Sequence, residues 1–373
     1  MTMTELTDAE VLRDHAFKWV DETYGEDREK AGRDTETGYV AARHEDIAGL
    51  GWLGAMVPED KGGIGGDLAE MAGIMEAVGR GVISEPVLSV GGIAAPLLAR
   101  LQTPAADALL AEVVGGRKTA VLCHFEQGAG FERALGASTV ARRDGGLFLS
   151  AAKAPVLDAS GADVLLVTAC DDTGRMAVLA VRPDADGLTR TQHRAVDQRR
   201  LCTVDIDDCR LDPDADLTGG ADATDHVAAV LDDAALLVCA EAIGAMGVLV
   251  PETEAYLKTR KQFGQPLSAF QVLQHRMVDM LMHYEEAQAT LEAALDARGT
   301  AGQARATALA KVVCARAAQF VAREAVQLHG GIGMTDDLKV SRYFRRLMLS
   351  ETMFGDADWY QERYRRLRPE EAE

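Results

Sequence analysis

A segment near residue 260 combines a fixed positive charge with a flexible backbone. It reads Arg260-Lys-Gln-Phe-Gly264 and continues to Gln271. An arginine guanidinium can bind two phosphate oxygens at once, and a glycine at a helix end lets the backbone approach closely beside it. Phe263 adds a flat apolar surface and Gln271 an amide. The segment predicts a site for a phosphate or pyrophosphate group, with a plain helix cap at Gly264 as the alternative.

A second segment, Gln327-Leu-His-Gly-Gly-Ile-Gly333, offers neutral donors of the same kind. The pair Gly330-Gly331 can bring backbone N–H groups against a phosphate or a ribose, because no Cβ stands in the way. Gln327 adds an amide that can donate and accept. A loop that simply ends a helix is the alternative interpretation.

No arrangement typical of nucleophilic or metal chemistry is visible. His124, His275 and His329 lack a Ser, Cys or carboxylate partner in a recognisable pattern, so we expect structural or cofactor-adjacent roles. The six cysteines are scattered, without a Cys-x-x-Cys pair, which favours free thiols in a reducing cytoplasm. They are Cys123, Cys170, Cys202, Cys209, Cys239 and Cys314.

Composition narrows the class of partner. The 373 residues carry a net charge of −20, with 47% hydrophobic and 26% charged residues. This is the balance of a soluble globular protein of two or three domains, and its acidity argues against nucleic acid and against anionic membranes. The N-terminus is charged, and no signal peptide is visible. The longest apolar run, 234–250, contains Glu241 and predicts a buried helix rather than a membrane span.

Three regions must position these segments. Residues 1–116 predict helices, beginning with a capping box from Thr7 to Glu10, with helices at 39–50 and 68–78 and a glycine-rich loop at 58–66. Residues 117–223 contain short apolar runs separated by turn residues, which predict a small antiparallel β domain. The runs are 119–125, 138–141, 147–150, 164–168 and 176–181, with hairpins at 144–146 and 171–174.

Residues 224–373 return to helical periodicity and predict a four-helix bundle. Pro251 is expected to kink or divide its helix. One apolar stripe is expected to be buried between helices. It consists of Leu267, Phe270, Leu273, Met277, Met280, Leu281, Tyr284 and Ala287.

The order α, β, α and the two glycine-containing segments resemble the acyl-CoA dehydrogenase family. The resemblance covers nearly the whole chain and implies an α+β fold with an N-terminal α-helical domain, a middle antiparallel β domain and a C-terminal four-helix bundle. It implies FAD as cofactor, held across a subunit interface. The residues that would hold the FAD of a neighbouring subunit are Arg260, Phe263, Gly264, Gln271, Gln327, Gly330 and Gly331.

The same resemblance implies that the chain lacks the other half of the site. Where the family commonly carries a glutamate base, this chain reads Met353-Phe354-Gly355-Asp356. In the β domain, Phe125 and Phe131 replace a threonine and a serine, and Pro155 and Leu157 replace the tryptophan and threonine that flank the flavin ring. We therefore expect no catalytic residue on this chain.

A second family position for the base corresponds to Ala234. Asp232 and Asp233 precede it, and we expect them at a solvated helix start. Glu241 is expected to face inward, two turns further on, and Asp356 to be either a helix cap or a flavin contact.

The resemblance then implies a hetero-oligomer. A second acyl-CoA dehydrogenase-like subunit, in an α2β2 assembly, would supply the base and the acyl pocket, and acyl-CoA would be oxidised to trans-2-enoyl-CoA. Electrons would pass to an electron-transfer flavoprotein. Two alternatives stay open. One is a self-sufficient homo-oligomer that uses Asp232, Asp233 or Glu241 as base. The other is a non-catalytic scaffold without FAD.

Overall fold

The structure is a computed structural model that describes residues 7–367. The predicted capping box begins the first helix: the Glu10 amide donates to Thr7 Oγ1 at 3.3 Å, and the Thr7 amide donates to the Glu10 carboxylate at 2.8 Å. The α-helices are α1 (Asp8–Thr23), α2 (Glu26–Arg33), α3 (Ala41–Gly49), α4 (Leu68–Gly81), α5 (Ala95–Leu101), α6 (Pro104–Val114), α7 (Thr224–Thr259), α8 (Gln271–Asp296), α9 (Gln303–His329), α10 (Val340–Thr352) and α11 (Ala357–Arg366).

The strands form one large sheet and one short hairpin. They are β1 (Ala120–Cys123), β2 (Thr139–Arg143), β3 (Gly146–Leu157), β4 (Val164–Cys170), β5 (Met176–Val181), β6 (Leu188–Arg194), β7 (Arg200–Leu211), β8 (Lys261–Gln262) and β9 (Gln265–Pro266). The large sheet has the order β1-β4-β2-β3-β7-β6, with β5 paired to β4. The short hairpin pairs β8 with β9.

The prediction of a purely antiparallel sheet is wrong in one respect. Both predicted hairpins are present, as the antiparallel pairs β2–β3 and β4–β5. However, β1 pairs with β4 in parallel, and so does β2 at one residue pair. Parallel neighbours need a long crossover connection, and the segment between β1 and β4, which contains the β2–β3 hairpin, provides it.

The apolar runs in the sequence predict neither β6 nor β7. All seven residues of β6 are exposed or half-buried, so this strand has no apolar run to detect. In β7, buried residues largely alternate with exposed or half-buried ones, and the polar members of that alternation interrupt any apolar run. A period of two, rather than a continuous run, is the signal that identifies such a strand.

The described chain forms two compact units, each assembled from separate stretches of sequence. One, the helical unit, contains residues 7–29, 72–83 and 235–367. The other, the β unit, contains residues 30–71 and 84–234. The second unit includes the large sheet, whose core side chains include Val121, Leu149, Leu165, Leu179 and Val204. The predicted N-terminal region contributes to both units, and the three-region division stays a prediction.

Helix α7 is long and apolar enough to cross a membrane by length and composition alone, but most of its apolar stretch is buried inside the protein. It is therefore the buried helix that the sequence predicts. The sequence predicts that Pro251 kinks or divides this helix; the proline does not divide it, since the helix continues to Thr259, and the kink stays a prediction. A proline removes only one backbone hydrogen bond, and a helix of 36 residues retains many others.

Helices α4 and α7 cross with their backbones in contact. A Cβ atom added at Gly244 would lie 1.9 Å from the carbonyl oxygen of Glu76, and one added at Gly79 would lie 1.8 Å from the carbonyl oxygen of Glu241. Real side chains do not reach such distances, so the crossing exists only because both residues lack a Cβ. Close packing of this kind tolerates no added atom without backbone movement.

We expect Gly244→Ala to lower the free energy of unfolding by about 2–3 kcal/mol, because the added methyl group must push two helices apart. Chemical denaturation of the purified protein measures this change. Gly49→Ala is the matched control, since an added Cβ there has open space around it. A Gly244→Ala protein as stable as the Gly49→Ala control would show that the crossing is not this tight.

The half-buried carboxyl group of Glu76 makes the stability of this unit depend on pH. Burial raises the pKa of Glu76 to about 7; the nearby Arg13 lowers it and Glu292 raises it. The folded protein therefore holds a proton that the unfolded chain releases near pH 4.5. Stability from this group is complete below pH 4.5 and is lost as the pH rises to about 7.

Glu76→Gln keeps this side chain neutral at every pH. We expect the substitution to raise the free energy of unfolding by up to about 3 kcal/mol at pH 8 and to change it little at pH 4. Thermal and chemical denaturation at both values measure the effect. Glu45→Gln, at an exposed position of α3, is the control and should change little at either pH. Equal effects of Glu76→Gln at the two values would contradict this assignment.

Candidate functional site

The first glycine-containing segment forms a two-residue hairpin just beyond α7. Strands β8 and β9 pair, and the turn between them consists of Phe263 and Gly264, with φ of 54° and 82°. Two successive positive φ angles are the signature of a type I′ turn. The predicted location of Gly264 at a helix end is therefore wrong. Helix α7 ends at Thr259, and strand β8 lies between that end and Gly264.

The side chains of this hairpin point outward. Phe263 is 91% exposed, and a Cβ added at Gly264 would meet nothing within 4 Å. Arg260 is exposed, and its guanidinium has no hydrogen-bond or ion-pair partner among residues 7–367. Gln271 is the exposed first residue of α8. The hairpin thus presents a cation, an amide and an aromatic ring to whatever binds outside.

The second segment turns sharply at the end of α9. Gly330 has φ of 70° and ψ of −150°, a conformation open essentially only to glycine. Added Cβ atoms at Gly330 and Gly331 would meet nothing within 4 Å, whereas one at Gly333 would lie 3.0 Å from His329 Cβ. Gln327 is exposed one turn earlier. Open space above the first two glycines permits the close backbone approach that a phosphate or ribose needs.

The combined set fits the pyrophosphate and adenosine end of a dinucleotide. It offers an arginine without an internal partner, two exposed amides and three glycines with open space above them. The arginine and the two amides leave a side-chain hydrogen-bonding capacity that the described chain does not use, and the glycines leave room for a ligand to approach the backbone. The prediction of Arg260, Phe263, Gly264, Gln271, Gln327, Gly330 and Gly331 as cofactor-binding residues remains a prediction compatible with this geometry.

The β unit contains a loop, residues 125–138, organised by one carboxylate. Glu126 is buried and accepts hydrogen bonds from three successive backbone amides, those of Gly136 at 2.8 Å, Ala137 at 3.1 Å and Ser138 at 2.6 Å. Burial opposes its ionisation, but the bonds from 136–138 outweigh burial and lower its pKa to about 2. The charge is therefore retained to hold the loop.

A buried lysine lies behind this carboxylate. Lys153 on β3 is fully buried, with its Nζ 3.9 Å from Glu126 Oε1 and donating to the His124 carbonyl at 2.9 Å. Burial lowers its pKa to about 8, and the charge of Glu126 opposes that effect. No sequence pattern points to a role for either residue. The two residues are 27 positions apart, so the sequence gives no sign that they are neighbours in the folded β unit.

His124, for which the sequence leaves a structural or a cofactor-adjacent role open, is bonded at both ring nitrogens within the protein. Its Nδ1 lies 3.0 Å from Thr168 Oγ1, and its Nε2 donates to the Arg133 carbonyl at 3.0 Å. Burial lowers its pKa to about 4, so the ring is neutral at physiological pH. Both ring nitrogens are occupied within the protein, and neither is available for proton transfer to a substrate.

Apolar groups stand at the four positions of this loop and strand where flavin-ring contacts are expected from the family pattern. Phe125 is buried, Phe131 and Leu157 are half-buried, and Pro155 is exposed. None of these side chains carries a hydrogen-bond donor or acceptor. The β unit therefore offers at these positions no polar side chain for a flavin ring.

The three carboxylates considered as alternative bases are all bonded to arginines. Asp232 contacts Arg133 at 2.7 Å, and Asp233 contacts Arg100 at 3.2 Å. The expectation of a solvated helix start is wrong, since α7 begins eight residues earlier, at Thr224, and the Asp233 side chain is only 3% exposed. Within the other unit, Glu241 faces inward as predicted. Arg346 binds it and also donates to the Ile83 carbonyl.

The segment around Phe354 is a tight link between two helices. After α10 ends at Thr352, Phe354 and Gly355 both adopt positive φ, of 58° and 127°. Asp356 then accepts a hydrogen bond from the Trp359 amide at 2.8 Å, so it is the N-cap of α11. The side chain at the family's base position is therefore an apolar ring on a short, constrained turn.

A buried lysine supports that link from inside the helical unit. Lys311 of α9 donates to the carbonyl oxygens of Ser350 at 2.6 Å and Glu351 at 3.3 Å. A cation at the C-terminal end of α10 satisfies carbonyls that have no helical partner.

Across the described chain, no group of three or more His, Cys, Asp or Glu side chains is arranged to hold a metal ion.

Two family models match this chain. The acyl-CoA dehydrogenase N-terminal domain matches residues 7–113, and the acyl-CoA dehydrogenase C-terminal domain matches residues 225–362. The chain belongs to the acyl-CoA dehydrogenase family. Members are FAD-dependent oxidoreductases acting on CH–CH bonds, and the observed succession of helices, β-sheet and helices is the acyl-CoA dehydrogenase fold.

Curated relatives match over most of their length. The acyl-CoA dehydrogenase IpdE2 of Mycolicibacterium smegmatis is 29% identical over 364 residues, covering 97% of this chain and 98% of that protein. The human mitochondrial short-chain specific acyl-CoA dehydrogenase is 28% identical over 338 residues, covering 87% and 82%.

Solved structures agree on the fold. The Tcur3481-Tcur3483 steroid ACAD superimposes with a TM-score of 0.85 at 28% identity, covering 96% of this chain and 97% of that one. The ChsE4-ChsE5 complex from Mycobacterium tuberculosis superimposes with a TM-score of 0.88 at 23% identity, covering 98% of each chain. The second likeness supports the fold alone.

If the arginine-bound carboxylates of the β unit are structural, Asp233→Asn should cost stability and not catalysis. We expect it to lower the free energy of unfolding by about 2 kcal/mol, because Arg100 then faces an uncharged amide. Turnover of acyl-CoA by the active enzyme should stay within about threefold of the wild-type rate.

Asp225→Asn, in the exposed first turn of α7, is the matched control for this experiment. Denaturation and steady-state kinetics with an artificial electron acceptor give the two readouts. A stable Asp233→Asn protein with turnover reduced a hundredfold or more would identify Asp233 as the base instead.

Proposed function

We propose that this chain is the FAD-holding subunit of a hetero-oligomeric acyl-CoA dehydrogenase. Arg260, Gly264 and the pair Gly330-Gly331, with the amides of Gln271 and Gln327, bind the pyrophosphate and adenosine of an FAD whose flavin ring lies in a partner subunit. The partner carries the catalytic base and most of the acyl pocket. The single observation that carries the proposal is the outward direction of the Arg260, Gln271 and Gln327 side chains, which form no hydrogen bond or ion pair within the described chain, beside glycines with open space above them.

The second line of support is the chemistry that this chain's own ring site lacks. Phe354 cannot accept a proton, and the apolar side chains on the β unit cannot bond a flavin ring. Asp232, Asp233 and Glu241 are each committed to an arginine. A general base must lie within hydrogen-bond reach of the substrate proton, and a carboxylate engaged in a buried ion pair must first leave that partner. The self-sufficient alternative therefore has no prepared base among these candidates.

An exposed apolar face on α8 supports assembly with another chain. The predicted buried stripe is only partly buried: Met280 and Ala287 are inside, but Leu281 is 46% exposed. Val278 and Met282 are 54% and 63% exposed beside it, and they border a cavity of about 630 Å³ with Phe320. Single exposed apolar residues are ordinary, but a contiguous patch on one helix indicates a covered surface.

The charge of α8 favours a different chain over a second copy. The helix carries five acidic residues and one arginine, and Arg276 is already paired with Glu324 at 2.5 Å. Symmetric pairing of two such helices would bring like charges together, at a cost to a homo-oligomer. The acidic residues are Asp279, Glu285, Glu286, Glu292 and Asp296. A family member with an apolar, basic-rimmed helix is the occupant that fits.

The reaction we assign to the assembled enzyme is the α,β-dehydrogenation of an acyl-CoA thioester. When bound, FAD supplies the two-electron acceptor, and an electron-transfer flavoprotein removes those electrons afterwards. The partner's base takes the α proton, made acidic by polarisation of the thioester carbonyl. This chain's residues hold the cofactor's phosphates and adenosine and thereby fix its position.

The similarity to a steroid ACAD supports a sterol-derived acyl group as one substrate class. The six free thiols support a reducing, cytoplasmic setting.

Flavin absorbance tests the proposal directly. We expect the purified chain alone to be colourless or insoluble, and the chain co-expressed with a partner of the same family to contain about one FAD per pair. A yellow homo-oligomer with one FAD per chain that oxidises acyl-CoA by itself would instead establish the self-sufficient alternative.

Arg260→Ala separates the proposal from the scaffold alternative. Loss of a charged two-point contact should weaken FAD binding to the co-purified complex about 30-fold, measured as flavin retained after gel filtration and as a dissociation constant. Arg194→Ala, at an exposed arginine of β6, is the control and should retain full flavin. Unchanged flavin content in the Arg260→Ala complex would support the scaffold alternative.

A further inference from the structure

Two aromatic rings connect the segments that we assign to FAD. Tyr256 lies on α7 one turn before Arg260, and His329 is the last residue of α9, directly before Gly330. Their ring centroids are 4.3 Å apart with an angle of 26° between the planes, so they are stacked. Tyr256 Oη also donates to the His329 carbonyl at 3.3 Å. Tyr256 lies outside the two glycine-containing segments, whereas His329 lies within the second one and is not among the residues assigned to FAD.

The connection to Arg260 runs through the backbone. The Arg260 amide donates to the Tyr256 carbonyl at 2.8 Å, and the Arg260 carbonyl accepts from the Leu267 amide at 2.8 Å, which closes the base of the hairpin. A shift of Tyr256 therefore moves Arg260 and the hairpin with it. The position of the arginine depends on where the last turn of α7 is held.

The connection to Gly330 runs through a fixed histidine. His329 is buried, with only 6% of its surface exposed. Its Nδ1 donates to the Ala325 carbonyl at 2.8 Å. Since a carbonyl only accepts, Nδ1 carries the proton and the ring has one defined orientation. Gly330 then leaves the helix with its unusual φ and ψ angles. The orientation of the Gly330-Gly331 amides starts from this locked residue.

A second contact lies nearby and joins α7 to the start of α10 rather than to α9. Glu252, one turn before Tyr256, forms an ion pair with Lys339 at 2.7 Å, at the start of α10. Both of its side chains are more than a third exposed, so it is the weaker of the two links. The aromatic stack joins a buried His329 to a half-buried Tyr256, and it is the contact able to fix the distance between Arg260 and Gly330.

We propose that Tyr256 and His329 are positioning residues that set the separation of the two segments around the adenosine and pyrophosphate of FAD. This inference rests on the proposed function, because it assigns a role at the same site. The stack orders Arg260 and the Gly330-Gly331 amides before the cofactor arrives, and a pre-ordered site binds more tightly than one that must be ordered on binding. Without the stack, each segment still folds, but the two no longer match one ligand.

The test compares FAD with FMN on the apo form of the co-purified complex. FMN lacks the adenosine and the second phosphate, so it does not bridge the two segments. We expect Tyr256→Leu to raise the dissociation constant for FAD about tenfold and to leave that for FMN unchanged. Tyr256→Phe keeps the ring stack and should retain FAD affinity within about twofold of wild type. Thermal unfolding of each apo complex is measured alongside.

Tyr343→Leu is the matched control in the same unit. Tyr343 is buried and its Oη donates to the Arg80 carbonyl at 2.6 Å, so its loss should lower the unfolding temperature without changing the ratio of FAD to FMN affinity. His329→Asn provides a second route if Tyr256→Leu fails to fold. It can preserve a donor toward Ala325 and removes the ring, and it should again raise only the FAD dissociation constant.

The outcomes separate the two proposals. Arg260→Ala weakening FAD binding while Tyr256→Leu and His329→Asn leave it unchanged would overturn the positioning role and leave the proposed function standing. Equal weakening of FAD and FMN by Tyr256→Leu, or a loss matched by Tyr343→Leu, would also overturn it, since either result describes general destabilisation. If neither Arg260→Ala nor Tyr256→Leu changes FAD binding, the proposed function itself is overturned.

Discussion

The helical unit depends on one buried ion pair. Glu241 of α7 and Arg346 of α10 are 0% and 2% exposed, and Arg346 also donates to the Ile83 carbonyl, just beyond α4. A buried charge stripped of its partner costs several kcal/mol, so these three elements are held in one arrangement. The same stretch of α7 meets α4 backbone to backbone at Gly79 and Gly244. A carboxylate so placed supports the fold and cannot leave its partner to accept a proton without disturbing both contacts.

The two units divide the chemistry unequally. The helical unit presents an arginine, amides and open glycines to its exterior. In the β unit, by contrast, three buried polar residues are hydrogen-bonded internally. Glu126, Lys153 and His124 are bonded to one another's backbone or to neighbouring loops and stabilise residues 125–138. The loop of the β unit has thus kept its framework, with apolar side chains at the positions where ring contacts are expected. A shared fold does not by itself imply a shared set of reactive side chains.

The sequence predicts what depends on neighbours along the chain and fails where distant residues meet. The capping box at Thr7 and the hairpin turns at 144–146 and 171–174 are local signals, and they are confirmed. The solvated position of Asp232 and Asp233 is wrong because their arginine partners lie 99 and 133 residues away. The helix end at Gly264 is wrong because a glycine with positive φ serves a hairpin as well as a helix cap. The stack of Tyr256 on His329 joins residues 73 positions apart and has no sequence signature.

The outward direction of Arg260 has a consequence for the cell. If the cofactor binds only where two chains meet, then FAD and the partner subunit stabilise one another by mass action, and each raises the apparent affinity of the other by the same factor. Every tenfold rise in free FAD above its dissociation constant would add about 1.4 kcal/mol to the association of the subunits. Riboflavin supply would then govern how much of this protein is assembled. A shortage of flavin would dissociate the subunits rather than lower the turnover rate of the assembled enzyme.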